Sequence, residues 1–134
     1  MTKAHSHVFQ RALGGRGEAA YGEESFWTWR EAMYRLAKAI TSEQLYAIAR
    51  YAYAEMVCNG FTHVVEFHYL HHQPDGGRGL AMIDAVVTAA NDIGLPLTLL
   101  PVYYRTSGFD GAPASFEQQR FAHDSVEDFL LTLE

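Results

Sequence analysis

Two imidazoles and a carboxamide fall within six residues in the stretch Ala4-His5-Ser6-His7-Val8-Phe9-Gln10. In an extended strand the side chains alternate with a period of two, so His5 and His7 project from one face. Their neutral ring nitrogens can then converge on one ion. Zinc accepts such nitrogens at about 2.0–2.1 Å, and a catalytic zinc takes about three protein ligands and keeps one position for water. The pair is therefore half of a metal site. Seven histidines in a chain of 134 residues also pair by chance, so the neighbouring residues have to decide the matter.

The elements that must position this pair can be read from periodicity. Trp29, Ala32, Met33, Leu36, Ala37 and Ile40 recur at helical spacing after Ser25, a candidate N-cap. Arg30, Arg35 and Lys38 occupy the opposite face, which on spacing alone is a solvated one. Thr41 and Gln44 match a capping box opening a second helix with Leu45, Ile48, Ala49, Ala52 and Met56 inward, closed by Asn59-Gly60. Phe61 to Leu70 is rich in branched and aromatic residues and predicts a strand buried on both faces. Leu80, Ile83, Val87 and Ala90 predict a helix ending at Gly94, and Leu95 to Tyr104 predicts another buried strand. Pro101 in that strand needs a position that donates no ladder hydrogen bond. Ser115 to Glu134 reads as helix, with a break near Asp124-Ser125.

Buried strands alternating with helices imply an α/β fold with a parallel sheet in a single unit spanning residues 1–134. Chemistry in such sheets gathers at the carboxyl ends of the strands. That rule brings His5, His7 and Gln10 beside His68, Tyr69, His71 and His72, and beside Tyr103, Tyr104 and Arg105. On residue type alone, Tyr103 and Tyr104 are expected to pack at the edge, and His71 and His72 to sit in a solvated loop. Glu66, in the middle of an apolar run, needs a partner or a raised pKa.

Composition narrows the class of partner. The formal net charge is −6 and the ten basic residues form no run or stripe, which argues against nucleic acid. Leu13-Gly14-Gly15-Arg16-Gly17 follows no strand of the length a phosphate-binding fingerprint requires and reads as a loop. The lone Cys58 excludes an internal disulfide and is expected to be a buried apolar residue near a helix end. No apolar run reaches the roughly 20 residues that span a bilayer, and the N-terminus has no signal-peptide core. The expected location is cytoplasmic.

Three segments together resemble one family. His5-Ser6-His7-Val8-Phe9-Gln10-Arg11-Ala12, Ser25-Phe26-Trp27-Thr28-Trp29-Arg30-Glu31 and Glu66-Phe67-His68-Tyr69-Leu70-His71-His72 look like consecutive signatures of the formimidoylglutamate deiminases. These are zinc hydrolases of the amidohydrolase superfamily that act in histidine degradation, and Leu97-Thr98-Leu99-Leu100-Pro101-Val102 also fits them. The resemblance implies a partial (β/α)8 TIM barrel, made of its first three strand units. It implies that His5 and His7 are metal ligands, and that Gln10, Arg30 and Tyr69 hold a formimino amino acid, with the arginine gripping a carboxylate in fork geometry.

The departures from the family follow from length. A complete barrel takes about 250 residues. The family's remaining zinc ligands, its acid/base residues and its flanking β domain have no counterpart in this sequence. The expectation is thus a zinc site that is incomplete in this chain and a fragment inactive alone. Two alternatives stand beside it: a non-catalytic small-molecule-binding module, and an enzyme restored by association with another chain. An open sheet with uncovered edges also favours self-association into homo-oligomers.

Overall fold

The computed structural model describes residues 1–15 and 26–133. The expected cap at Ser25 and the part of the glycine loop beyond Gly15 lie outside the described residues.

Local chemistry sets the element boundaries. The Thr41 hydroxyl accepts from the Gln44 backbone N–H at 3.2 Å, and the Gln44 side chain accepts from the Thr41 N–H at 3.1 Å. This reciprocal pair satisfies two orphan donors at the start of α2, Ser42–Cys58. It also turns the chain out of α1, Phe26–Ala39. Gly60 (φ 81°) and Gly94 (φ 74°) take the left-handed conformation after α2 and after α3, Ala81–Ile93. Each helix therefore delivers the chain directly into a strand.

Three strands, β1 (Thr2–Ser6), β2 (His63–His68) and β3 (Leu97–Pro101), form one parallel sheet in that order. Small residues on α2 and α3, Ala49, Ala52, Ala85 and Ala89, let the two helices approach closely over Val64 of β2. Met33, Ala37 and Ile40 bring α1 onto the same core. Side chains such as Leu45, Met82 and Val86 are fully buried here, each contributing about 1.5–3 kcal/mol. Pro101 stands at the end of β3, where the next residue, Val102, donates to the His68 carbonyl at 2.9 Å. Among the described residues no helix is long and apolar enough to cross a membrane.

Several expectations are corrected. β2 is shorter than the run from Phe61 to Leu70, and only one of its faces, Val64, Glu66 and His68, is fully buried. β3 alternates between half-buried and exposed positions, with Leu100 at 44 % exposure. The helices cover a single face of the sheet, which leaves the other face half open. The helix expected over residues 115–134 is a 3-10 turn, Phe116–Gln118, followed by irregular chain and then α4, Val126–Leu131. The buried residues there are Gln118, Arg120, Phe121 and His123, whose spacing fits neither helix period nor a single stripe. The expected break near Asp124-Ser125 does occur, because the Ser125 hydroxyl caps α4 by accepting from the Asp128 N–H at 3.1 Å. Cys58 is exposed, as is its neighbour Val57 in the last turn of α2, which corrects the buried apolar role.

Candidate metal and substrate site

β1 ends by handing two imidazoles to one spot. The Nε2 atoms of His5 and His7 lie 2.9 Å apart, with the rings edge to face. Ligands of a tetrahedral ion at about 2.0–2.1 Å would stand roughly 3.3 Å apart, so this spacing is close to what one shared ion requires. The Nδ1 of His7 is 2.9 Å from the Phe67 carbonyl. A carbonyl only accepts, so Nδ1 carries the proton and the neutral ring presents a bare Nε2 lone pair. Such a second hydrogen bond fixes tautomer and ring orientation in metal-binding histidines. Burial lowers the His7 pKa, which keeps that lone pair available at neutral pH.

Glu66 sets the strand end from beneath. Its Oε1 accepts from the Val8 backbone N–H at 2.7 Å, the amide immediately after His7. The carboxyl is 1 % exposed and its pKa is pushed up to about 7 by burial, against the pull of the Val8 N–H and the Ser6 hydroxyl. The expectation of a buried carboxylate with a partner and a raised pKa is thereby met on both counts. Tyr53, fully buried in α2, has its phenol pushed up by burial and by the Glu66 charge.

Gln10 and Tyr69 join the histidine pair. The Gln10 amide donates to the Tyr69 hydroxyl at 2.8 Å, and the Tyr69 ring lies edge-on to His7 at 5.0 Å between centroids. Because the hydroxyl accepts from Gln10, its own proton is left for another acceptor. Burial raises the phenol to about 12, so it remains a donor at all ordinary pH.

Arg30 stands one layer away. It donates to the Tyr34 hydroxyl through Nε at 3.0 Å and Nη2 at 2.8 Å, and lies over the Trp27 and Tyr34 rings. It is half-buried, where spacing alone gave a solvated face. Its connection to the rest runs through rings: Tyr34 stacks on Phe121, and Phe121 meets Tyr69 at 5.0 Å. Gln118 ties this layer together by donating to the hydroxyls of Tyr34 and Tyr104. No direct contact joins Arg30 to His5 or His7 among the described interactions. Tyr34 and Gln118 were not singled out by the sequence, although Tyr34 is one helical turn from Arg30 and on its face.

The remaining strand-end residues serve structure. Tyr103 packs on Phe129, and Arg105 is exposed in its loop. His71 and His72 are buried to 1 and 5 % exposure, which corrects the solvated loop. The physical reason is a long-range cover: both of their backbone N–H groups donate to the Arg120 carbonyl, at 3.0 and 3.1 Å.

Whether zinc fits can be judged from these donors. His5 and His7 bring two Nε2 atoms to one spot, where His7 accepts from the His5 N–H and one ring is already oriented, but among the described residues no group of three or more His, Cys, Asp or Glu side chains could hold a metal ion. The pair fits as half of a zinc site.

This fold is similar to that of an amidohydrolase. An amidohydrolase of Brucella melitensis, known from its crystal structure, superposes on 99 % of this chain with a TM-score of 0.91 at 44 % identity. The chain covers 30 % of that protein. More particularly, it is 47 % identical over 130 residues to a formimidoylglutamate deiminase of Pseudomonas aeruginosa, a match that takes in 93 % of this chain and 28 % of the relative. The chain thus resembles formimidoylglutamate deiminase along nearly its whole length while spanning less than a third of it, as a partial copy does. No family model matches it.

Proposed function

We propose that this chain is the N-terminal part of a zinc-dependent amidohydrolase (β/α) barrel that converts N-formimino-L-glutamate to N-formyl-L-glutamate and ammonia, in histidine degradation in the cytoplasm. The observation that carries the reading is the meeting of two Nε2 atoms at the carboxyl end of β1, beside the Gln10–Tyr69 pair. The sequence similarity to a deiminase supports the choice of reaction.

In this reading His5 and His7 would hold the zinc. When bound there, zinc would supply a water of pKa lowered towards about 7 as the nucleophile for an amidine carbon. His7 is kept in the ligating tautomer by the Phe67 carbonyl. Tyr69, steadied by Gln10, donates a hydrogen bond to the substrate, while Arg30, steadied by Tyr34, grips a carboxylate. The partner is a small molecule, and neither nucleic acid nor membrane takes part.

Two metal ligands and no acid/base group from a later strand leave the isolated chain without turnover. Purified chain assayed for ammonia release from N-formimino-L-glutamate with added zinc is expected to match the buffer control. Steady multiple turnover would overturn the reading of an inactive fragment. Turnover that rises with chain concentration would favour a site completed by association.

A further inference from the structure

A second group of imidazoles lies apart from the strand-end pair. His68, His71, His72 and His123 are exposed by only 4, 1, 5 and 2 %. Ring centroids of His71 stand 5.4 Å from His68, 6.3 Å from His72 and 4.7 Å from His123, and His72 is 4.9 Å from His123. Their bonds go to backbone: Nε2 of His71 donates to the Val102 carbonyl and Nε2 of His72 to the Ala122 carbonyl. The other nitrogens of His71 and His72, both of His123 and Nε2 of His68 are sealed from solvent with no hydrogen-bond partner. Among the described residues none of these rings forms a set that could hold a metal.

The lid of this chamber is α4. Phe129 packs on His123 at 5.1 Å, on His71 at 5.8 Å and on Tyr103 at 5.6 Å. The other large apolar residues of α4, Val126, Leu130 and Leu131, are 48, 52 and 70 % exposed, so one ring anchors the helix. Arg78 adds a clasp from the loop between β2 and α3, reaching Asp124 at 2.9 Å and Asp128 at 2.6 Å.

We propose that His71 and His123 form a proton-operated latch, which holds residues 123–133 against the strand ends while both rings are neutral and releases them when either is protonated.

Asp124 and Asp128 face His123, but both carboxylates are already held by Arg78. Arg78 faces His72 and His123 from the loop after β2, and it already shares the carboxylates of Asp124 and Asp128. Arg120, with Asp75 near it, faces His72 and spends its donors on backbone carbonyls. Tyr103 closes the β3 side with an unpartnered hydroxyl. A proton arriving on His71 therefore meets the rings of His72 and His123, and one arriving on His123 meets His72 and Arg78 against the pull of Asp128 and Asp124. Burial holds His71 down at about 4 and lowers His123 too.

The sign follows. A folded-state pKa below the ordinary 6.5 makes docking complete above that value and progressively lost as pH falls towards the folded pKa. An opening that takes up one proton becomes about tenfold more favourable per pH unit in that window. A short helix with one half-buried anchor opens locally before the core does.

Amide hydrogen exchange of the whole chain, corrected for the intrinsic pH dependence of exchange, tests the latch between neutral pH and about pH 5. Opening of residues 123–133 should rise about tenfold per pH unit below 6.5 and stay well ahead of α2 and β2, which open only with the whole fold. In the double variant His71→Phe, His123→Phe, which keeps rings beneath Phe129, the slope should vanish. Unchanged protection of residues 123–133 in the wild type, loss shared equally with α2 and β2, or the same slope in the double variant would overturn the proposal. Should the variant fail to fold, the wild-type profile decides alone. Protonation of Asp124 or Asp128 is separable, because Asp128→Asn should leave the slope in this window intact.

Discussion

Replacing Arg120 with alanine should cost about 3–5 kcal/mol, a large part of the roughly 5–15 kcal/mol that holds an ordinary domain together. Few residues in this fold join so many distant parts. Nε donates to the His72 carbonyl, Nη1 to those of Ala37 and Lys38, and Nη2 to that of Ile40. Two of these acceptors, Ala37 and Lys38, are among the last carbonyls of α1, which have no partner within the helix, and Ile40 directly follows it. The guanidinium is 7 % exposed and has no carboxylate bonded to it, and burial lowers its pKa to about 10. Alanine would leave buried carbonyls unsatisfied and a void against Met82, which lies within 3.9 Å of Nη2. Urea unfolding measures the effect: the midpoint should fall steeply with the slope unchanged. Arg120→Lys should recover only part, because an ammonium cannot present the planar fork.

Acid is the second large lever. Stability should fall by a few kcal/mol between neutral pH and about pH 4. His68 and His71 are held down at about 3 and about 4, in both cases chiefly by burial. For such groups stability is intact above the unfolded value of 6.5 and drains away as pH drops, at about 1.4 kcal/mol per unit for each proton. By about pH 4 the two together amount to at most roughly 6 kcal/mol.

Glu66 works in the opposite direction. Its carboxyl, raised to about 7, favours the fold below the unfolded value of 4.5, and that contribution is lost as pH rises through 7. Acidification therefore returns about 3 kcal/mol from Glu66 while the histidines lose more. Glu66→Gln should remove this offset, making the neutral-pH protein more stable than wild type and the acid decline steeper. Urea unfolding at neutral pH, near pH 5.5 and near pH 4 would show both effects, and a flat profile in wild type would contradict them.

What was legible in the sequence was mostly local. The His5–His7 pair could be read because strand geometry alone puts alternate residues on one face, and the capping box because its two hydrogen bonds span three residues. Glu66 stood out because a carboxylate in an apolar run demands an explanation. Residues 115–133 were misread because their order depends on side chains reaching far along the chain: Arg120 to the end of α1, and Gln118 to Tyr34. The burial of His71 and His72 was hidden for the same reason, since their cover comes from residues 120–123. Arg30 shows an intermediate case. Helical spacing placed it on an outer face, and the Tyr34 hydroxyl and the rings of Trp27 and Tyr34 draw it inward.

The account rests on His5 and His7 acting as one half of a zinc site, and a zinc titration followed by imidazole nitrogen NMR addresses that pairing directly. Zinc should bind weakly at one site per chain, shifting the Nε2 signals of both rings while His7 keeps its proton on Nδ1, and His5→Ala or His7→Ala alone should abolish binding. If zinc leaves both rings unmoved, or binds as well when both are alanine, the two imidazoles are not a metal site and the proposed chemistry fails with them.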